Sequence, residues 1–303
     1  MLWYLDRNTR GERLLVRHRL VYSCALVLTL AAACPALTVS EQNDAVVAAL
    51  GPIHWWKFNN PITPTTAIDE IAGYDNAVRN GPVAMVPGAF GNDSTSVEFW
   101  PVRNGQSTLV FNHSNTLLLD EGSLSFWMYD TSAIHTAGVI SKDAAGLGNG
   151  GHLSIMTQPL TGTGSNTGKL SVRLQSTTDS HYVVSPVMPT QTWHHVVFSF
   201  GSEGMKLYLN GDLVDSNAYT GGLLGNLNPM VFGASSAGAT SGYNPLRDWW
   251  SGMLDQVAFF DTALPPQAVR ALYTGNRNDI PEPAAAALLL LTAPALLRRR
   301  RGA

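Results

Sequence analysis

Alternation of apolar and polar residues with a period of two constrains the fold of this chain more than any other feature. Residues 124–128, 196–200 and 205–209 each alternate in this way. The period is typical of strands that bury one face. Asn210-Gly211 follows the third run and supplies the two residues of positive φ that a tight hairpin needs. The sequence therefore predicts antiparallel strands joined by short turns.

Helix signals are rare between these strands. Glycine and proline separate about six further short runs between residues 97 and 233. One segment of helical spacing follows Pro265-Pro266, where apolar residues recur at 269, 272 and 273. Many short strands with glycine-rich turns predict an all-β protein built as a two-sheet antiparallel sandwich.

The N-terminal residues 1–36 are predicted to be a secretory signal peptide. Five arginines precede an apolar run at residues 20–33, and small residues follow it. This order is typical of exported proteins, with cleavage expected at or shortly before Ala36. An uncleaved membrane anchor and a lipoprotein site at Cys34 are the alternatives.

The C-terminal end carries a second apolar run between a proline-rich triplet and four arginines. These features are Pro281, Glu282 and Pro283, then residues 284–297, then Arg298, Arg299, Arg300 and Arg301. As a helix the run would reach about 21 Å, short of a roughly 30 Å hydrocarbon core. Arginines stay on the cytoplasmic side, so both ends lie there and the body is exported. The tail is predicted to be a removable sorting signal that meets the membrane only transiently.

Charge and cysteine content exclude several classes of function. The whole chain has a net charge of −3, but nine of its 19 basic residues are the five arginines of the signal peptide and the four terminal arginines, and the signal peptide holds only two of its 22 acidic residues. The body therefore has 10 basic and 20 acidic residues, which argues against nucleic acid or anionic lipid as a partner. Both cysteines, Cys24 and Cys34, lie within or beside the signal, so no disulfide framework is expected.

Six segments, in order along the body, resemble the LamG-like jelly roll of the concanavalin A-like lectin/glucanase superfamily. They include HWWKF, LSFWM, WHHVV with the later LYLNG, and SGMLDQV, and they occupy residues 54–58, 69–76, 88–99, 124–128, 193–211 and 251–273. The resemblance implies a jelly-roll domain over residues 53–276, preceded by a linker at 37–52 and followed by the tail at 277–303. It implies a fold more firmly than an activity.

The tail is similar to the PEP-CTERM sorting tail of Gram-negative bacteria. The resemblance rests on the order of the Pro-Glu-Pro triplet, the apolar run and the terminal arginines. It implies an exosortase-type processing enzyme as a partner, cleavage near the triplet, and release at the cell surface or into an extracellular polysaccharide matrix.

Asp255 is the main candidate for a metal ligand. Strand alternation places it on one face with Met253 and Val257, where a carboxylate is costly unless it is paired or metal-bound. In relatives, the aspartate of the last strand joins a Ca²⁺ site with the end of the first strand, which here is Asn59-Asn60 instead of Asp-Glu. Asparagine offers an oxygen but no charge. A structural aspartate that accepts hydrogen bonds from the first loop is the alternative.

Other polar residues are weaker candidates. Asp69, Asp75 and Asn76 share one early loop, where Asx-turn chemistry is the preferred interpretation over added calcium ligands. His194 and His195 are adjacent on a strand and point to opposite faces, so they are not expected to hold one metal.

Trp249 and Trp250 are the candidates for ligand binding. They follow the glycine-rich residues 234–243, and adjacent strand residues face opposite sides. An exposed tryptophan could stack on a sugar ring, and packing at the edge of the core is the alternative.

No pattern for catalysis is visible. The Glu-x-Asp-x-x-Glu spacing that glucanases of this fold use for their two carboxylates is missing from the sequence. The sequence therefore predicts a non-catalytic, exported binding module for glycan or extracellular matrix polysaccharide. A structural or adhesive protein that binds another protein is the alternative, and a diverged glycoside hydrolase is the third interpretation.

Overall fold

The computed structural model describes residues 37–59, 66–71, 77–100, 107–132, 134–159 and 167–280. Within these residues lie two α-helices, α1 (Val39–Ala49) and α2 (Pro266–Thr274), and two short 3₁₀ helices (Asn115–Leu117 and Arg277–Asp279). The strands are β1 (His54–Trp56), β2 (Thr66–Ala67), β3 (Ala77–Asn80), β4 (Val83–Gly88), β5 (Gly91–Phe99), β6 (Thr108–Phe111), β7 (Gly122–Asp130), β8 (Ala137–Lys142), β9 (His152–Thr157), β10 (Lys169–Gln175), β11 (Ser180–Val187), β12 (Trp193–Phe200), β13 (Met205–Leu209), β14 (Asp212–Asn217), β15 (Met230–Phe232) and β16 (Gly252–Phe260).

These strands form two antiparallel sheets. The first sheet has the order β14-β13-β12-β7-β16-β5-β4, and β1 also pairs with β16. The second sheet has the order β11-β10-β9-β8-β15-β6-β3-β2. The predicted all-β, two-sheet antiparallel sandwich is confirmed.

The main core lies between the two sheets and follows from the alternation in the sequence. Phe126 and Phe198 from the first sheet and Ile155 and Val172 from the second are all fully buried in it. Burying a side chain of this size stabilises the fold by roughly 1.5–3 kcal/mol. The sequence pattern therefore decides which face of each strand turns inward.

The hairpin between β13 and β14 forms at the predicted turn. Asn210 and Gly211 have φ values of 53° and 88°. These conformations suit a two-residue loop whose twist matches the strands. The Asn210 side chain also accepts a hydrogen bond from the amide of His195 at 2.9 Å, which fixes the turn against β12.

The outer face of the first sheet is covered by both helices, and we call it the helix-covered face. Val46 from α1 and Leu272 from α2 pack with Trp55 and Phe260 of the sheet in a second apolar cluster. The side chain of Asn43 ties the helices together by donating to the Leu272 carbonyl at 2.7 Å. The short helix after Pro265-Pro266 is therefore confirmed.

The linker predicted at residues 37–52 is wrong. Most of that segment is α1, and Val46 and Val47 bury their side chains against the sheet. The predicted tail also begins too early, because Ile280 packs against the same cluster. The apolar residues of α1 show no clear helical period, because Val46 and Val47 are adjacent and the other residues are of mixed polarity. The sequence alone therefore did not reveal that α1 packs on the first sheet.

Candidate functional site

A groove lies on the outer face of the second sheet and is large enough to hold a ligand. It has a volume of about 310 Å³. Its lining residues come from three neighbouring strands and from the segment that connects β15 to β16: Ser154, Met156, Gln158, Ser171, Arg173, Tyr182, Ser235, Ala237, Arg247 and Asp248. We call these residues the groove.

The floor of the groove is set by strand register. Arg173 of β10 lies opposite Ser154 of β9 and Tyr182 of β11, so these three side chains form one row across the sheet. The residues on either side of Arg173 turn into the core, as Val172 does. Polar residues at alternate positions of these strands therefore face away from the core, into the groove.

The wall of the groove is the segment of residues 233–251. It folds back on itself through two backbone hydrogen bonds between Ser235 and Arg247, at 2.8 and 3.0 Å. It rests directly on β8, where a Cβ added to Gly138 would lie only 2.4 Å from the Ser235 nitrogen. Only glycine permits this approach, so Gly138 fixes the position of the wall.

A buried ion pair holds Arg173 in place. Asp143 at the end of β8 is fully buried and forms a salt bridge with the Arg173 guanidinium. The Asp143 carboxylate also lies 3.2 Å from Nδ1 of His152. A buried carboxylate is stable only when it is paired in this way. Arg173 therefore neutralises Asp143, while the exposed part of its side chain lines the groove.

The predicted ligand residues Trp249 and Trp250 point to opposite sides, and only one of them can meet a ligand. Trp250 is 1% exposed and packs in the main core near Phe99, so stacking of its indole on a sugar is contradicted. Trp249 is partly exposed and packs, like Tyr243 and Leu246, against a small cluster of Val110, Val231 and Ala234. It follows the groove residue Asp248 in the chain but is not among the lining residues.

The groove residues Arg173, Tyr182 and Arg247 were missed at the level of sequence. A signal existed in β10, where Ser171 and Arg173 alternate with apolar residues and must face away from the core. Nothing in the sequence indicates that the 233–251 segment folds onto that same face.

Asp255 lies at a β-bulge and not in the main core. Residues 252–254 of β16 pair with β5, whereas residues 257–259 pair with β1. Between them the register shifts, and Gln256 has a φ of 51°. A bulge gives two consecutive residues the same general direction. The predicted shared face of Asp255 and Val257 is therefore wrong.

The turn between β4 and β5 closes over Asp255. Its Oδ2 accepts hydrogen bonds from the Ala89 amide at 2.9 Å and from the Ser94 hydroxyl at 3.1 Å. A Cβ on Gly88 would lie 2.3 Å from the same oxygen, so glycine lets the turn approach. Burial raises the pKa of the Asp255 carboxyl to about 7, although both hydrogen bonds act in the opposite direction.

The fit of this site to Ca²⁺ is incomplete among the described residues. Asp255 Oδ1 is buried and accepts no hydrogen bond of standard geometry, so it is the one oxygen that suits a cation. Asn59 instead accepts a hydrogen bond from the Thr95 amide at 3.0 Å, and Asn60 lies outside the described residues. No group of three His, Cys, Asp or Glu side chains that could hold a metal occurs in the described residues.

Asp69 has a structural role, as the sequence suggests. Its Oδ1 accepts from the amide of Ile71 two residues ahead, which is an Asx turn, and also from the Trp55 amide. Its Oδ2 lies 2.6 Å from Nδ1 of the buried His54. The other two residues of this loop, Asp75 and Asn76, lie outside the described residues.

His194 and His195 point to opposite faces, as predicted. His194 Nε2 contacts the Pro189 carbonyl at 3.0 Å, and His195 Nε2 contacts the Ser125 hydroxyl at 2.9 Å. Burial lowers the pKa of His195 to about 3, so its ring is neutral. No partner orients the Nδ1 of His195 within the described residues, so this serine and histidine lack the third member of a triad.

The sorting residues Pro281, Glu282, Pro283, Arg298, Arg299, Arg300 and Arg301 lie outside the described residues, as does the predicted signal peptide. Among the residues that the structure does describe, no helix is long and apolar enough to cross a membrane.

Comparison with known proteins identifies the family. Residues 103–270, more than half of the chain, match the Laminin G model of the concanavalin A-like lectin/glucanases superfamily. The chain belongs to this superfamily. No curated protein sequence matches it.

Solved structures share the fold at low sequence identity. Domain 4 of AbnA, a GH43 extracellular arabinanase from Geobacillus stearothermophilus in complex with arabinotriose, is 18% identical with a TM-score of 0.52, covering 73% of this chain and 98% of that one. The binding domain of botulinum neurotoxin DC with rat synaptotagmin II is 16% identical with a TM-score of 0.52, covering 76% of this chain. The same domain in complex with SialylT is 15% identical with a TM-score of 0.52, again over 76% of this chain. This chain spans about half the length of the neurotoxin domains, 51% in both cases.

Proposed function

We propose that this protein is a non-catalytic glycan-binding module and that the groove on the second sheet is its binding site. The observation that carries the proposal is the combination of a recess of about 310 Å³ with a row of hydroxyl, guanidinium and phenol groups on a rigid floor. Glycan recognition needs convergent hydrogen-bond donors and acceptors together with an apolar ring face, and Tyr182, which is 47% exposed, supplies that face.

Two proteins that share this fold are glycan-binding examples of it. The arabinanase domain was solved in complex with arabinotriose, and a neurotoxin binding domain was solved in complex with SialylT. At 15–18% identity these likenesses concern the fold alone. The choice of glycan as the ligand class therefore depends on the chemistry of the groove in this chain.

A glycan array with the purified full chain tests the proposal. We expect binding to at least one glycan, and Tyr182→Ala should weaken it by about tenfold because a stacking contact is worth on the order of 1 kcal/mol or more. Tyr273→Ala is the matched control, since Tyr273 is 38% exposed on α2 and far from the groove floor in the fold. Equal loss in both variants, with both folded, would argue against the groove.

Binding of another protein is the second candidate function. One fold neighbour is described in complex with rat synaptotagmin II. A silent glycan array together with retention of a cell-surface protein would favour this adhesive role. Hydrolysis of any polysaccharide that depends on one carboxylate would instead point to a diverged glycoside hydrolase.

We also propose that the protein is exported and displayed at the cell surface or in the extracellular matrix of a Gram-negative bacterium. The basic and apolar N-terminus and the Pro-Glu-Pro tail with its four arginines support this proposal. Cell fractionation tests it: replacing Arg298–Arg301 by glutamine should trap or misdirect the protein if an exosortase-type enzyme reads the tail. Unchanged surface display would contradict that role.

Calcium at Asp255 is a further proposal, supported by the buried Oδ1 that lacks a standard hydrogen bond. Calcium would neutralise the carboxylate and link β16 to the first strand. A calcium titration should raise the melting temperature of the protein, and Asp255→Ala should abolish the rise. If the melting temperature of the native chain does not move, Asp255 is a structural residue held by Ala89 and Ser94.

A further inference from the structure

The groove brings two arginines together on a protein whose body is acidic. Nine lysines and arginines lie in the described residues, and two of them, Arg173 and Arg247, line this one recess. Neither has a basic neighbour in sequence, so the pairing arises only because β10 and the 233–251 segment meet on the same face.

Arg173 keeps part of its side chain at the groove although it is paired. Its guanidinium is bound to Asp143 through Nη2, and its Nε is buried away from solvent. The side chain as a whole is 23% exposed and lines the groove. The exposed part of the guanidinium can therefore donate to an acceptor oxygen on a bound ligand.

Arg247 is the exposed positive charge of the groove. Its guanidinium lies against Gly238, where an added Cβ would approach Nη2 to 2.1 Å, and it is exposed to solvent. Within the described part of the chain its side chain forms no ion pair or hydrogen bond. The planar fork of a free arginine matches a carboxylate in a bidentate manner.

We propose, on the basis of the glycan-binding function above, that the groove selects acidic glycans whose sugar rings carry carboxylates. Arg247 pairs with the ligand carboxylate, the exposed part of the Arg173 guanidinium donates to an adjacent oxygen, and Tyr182 packs against a ring. The exposed Asp248 stands at the same rim and repels a densely charged polymer. The groove therefore favours a uronic-acid glycan with spaced charges over a highly sulfated one.

The test uses polymers that differ only in charge. The full chain is titrated with hyaluronan, alginate and polygalacturonate oligosaccharides, and with the same oligosaccharides after reduction of their carboxylates to alcohols. We expect at least one acidic form to bind about tenfold or more tightly than its reduced counterpart, since a charge-assisted hydrogen bond is about twice as strong as a neutral one.

Variants locate the effect in the groove. Arg247→Gln should remove most of the preference for the acidic form, because it weakens binding of the acidic form by about tenfold and that of the reduced form by a smaller factor. Arg173→Lys keeps the charge beside Asp143 but removes the guanidinium fork, and it should weaken binding of both forms. Arg270→Gln is the matched control: it removes an equal charge from α2, where the side chain is 61% exposed, and should change neither.

The outcomes separate this inference from the glycan proposal itself. The native protein could bind the acidic and reduced oligosaccharides with equal affinity, and Tyr182→Ala could abolish both. That result would overturn the acidic preference and leave the glycan-binding proposal standing. A preference that survives Arg247→Gln would overturn the role of the groove in it. The absence of binding to every oligosaccharide and to the glycan array would overturn both.

Discussion

The two outer faces of this sandwich differ in what covers them. On the helix-covered face, α1 and α2 seal an apolar cluster that includes the fully buried Phe260 and Val269. On the outer face of the second sheet, which we call the groove face, the strands present serine, arginine and tyrosine to a recess of about 310 Å³. One face therefore adds to the stability of the fold, whereas the other leaves polar groups available to a ligand. This comparison predicts that mutations of buried residues on the helix-covered face mainly lower stability, whereas mutations of exposed residues on the groove face mainly weaken binding.

The largest expected effect is on the helix-covered face. Phe260→Ala removes a fully buried ring from beneath the helices and should lower the free energy of unfolding by about 3–5 kcal/mol. Urea denaturation measures the loss, and Leu213→Ala, at a position 53% exposed on β14, is the control with a change near zero. Glycan binding by the folded fraction should not change. A loss below about 1 kcal/mol would mean that the helices add little to the fold.

The next largest effect concerns Asp255, which lies at the bulge beside the helix-covered face. Its buried carboxyl should make stability depend on pH in a way that a surface carboxyl does not. Folding raises the pKa of Asp255 from 3.8 to about 7, so the folded state holds this proton more tightly than the unfolded state. The resulting stabilisation is complete below about pH 4 and is lost as the pH rises through 7, by roughly 4 kcal/mol at most. Asp255→Asn mimics the protonated form and should flatten this slope.

Urea denaturation between pH 4 and pH 8 checks the slope. The matched control is Asp212→Asn, since the Asp212 side chain is 79% exposed, and it should keep the native profile. An Asp255→Asn profile parallel to that of the native protein would show that the carboxylate stays charged in the fold. Added Ca²⁺ that flattens or removes the slope only in the native protein would instead favour a metal at Asp255.

A third prediction concerns the contact that forms the wall of the groove. Gly138→Ala places a Cβ at 2.4 Å from the Ser235 nitrogen, and the wall must move to accommodate it. Overpacking of this kind costs about 1–3 kcal/mol, and glycan affinity should fall because the wall carries Arg247. Loss of binding without any loss of stability, or the reverse, would show that the wall and the sheet are not coupled.

The smallest expected effect is on the stability of the groove face. Arg247→Gln changes an exposed side chain with no described partner, so the free energy of unfolding should change by no more than about 0.5 kcal/mol. Thermal denaturation of this variant alongside the native protein measures it. A larger change would mean that Arg247 holds the wall, and its effect on binding would then be indirect.

Much of the fold could be predicted from the sequence because a period of two records which side of each strand is buried. The alternation near Phe126 and Phe198, the turn at Asn210-Gly211 and the helix after Pro265-Pro266 were all predicted correctly. Each of these signals is local, because strand pleat, turn conformation and helix start depend on neighbouring residues.

The site was harder to predict, since its parts are distant along the chain. Simple alternation placed Asp255 with Val257, but the bulge at Gln256 turned it to the other side. Trp249 and Trp250 were predicted to bind a ligand because they are aromatic, but Trp250 is buried in the main core. The groove instead joins residues 154–182 to residues 235–248.

The sequence by itself determined that this chain forms strands with one apolar face and that its body is acidic, and it predicts export signals at the two ends. Only the tertiary structure decided which outer face is covered and which is left open. The reason is physical: local periodicity specifies the direction of a side chain, whereas packing of α1 onto the first sheet and of the 233–251 segment onto Gly138 depends on contacts between residues far apart in sequence.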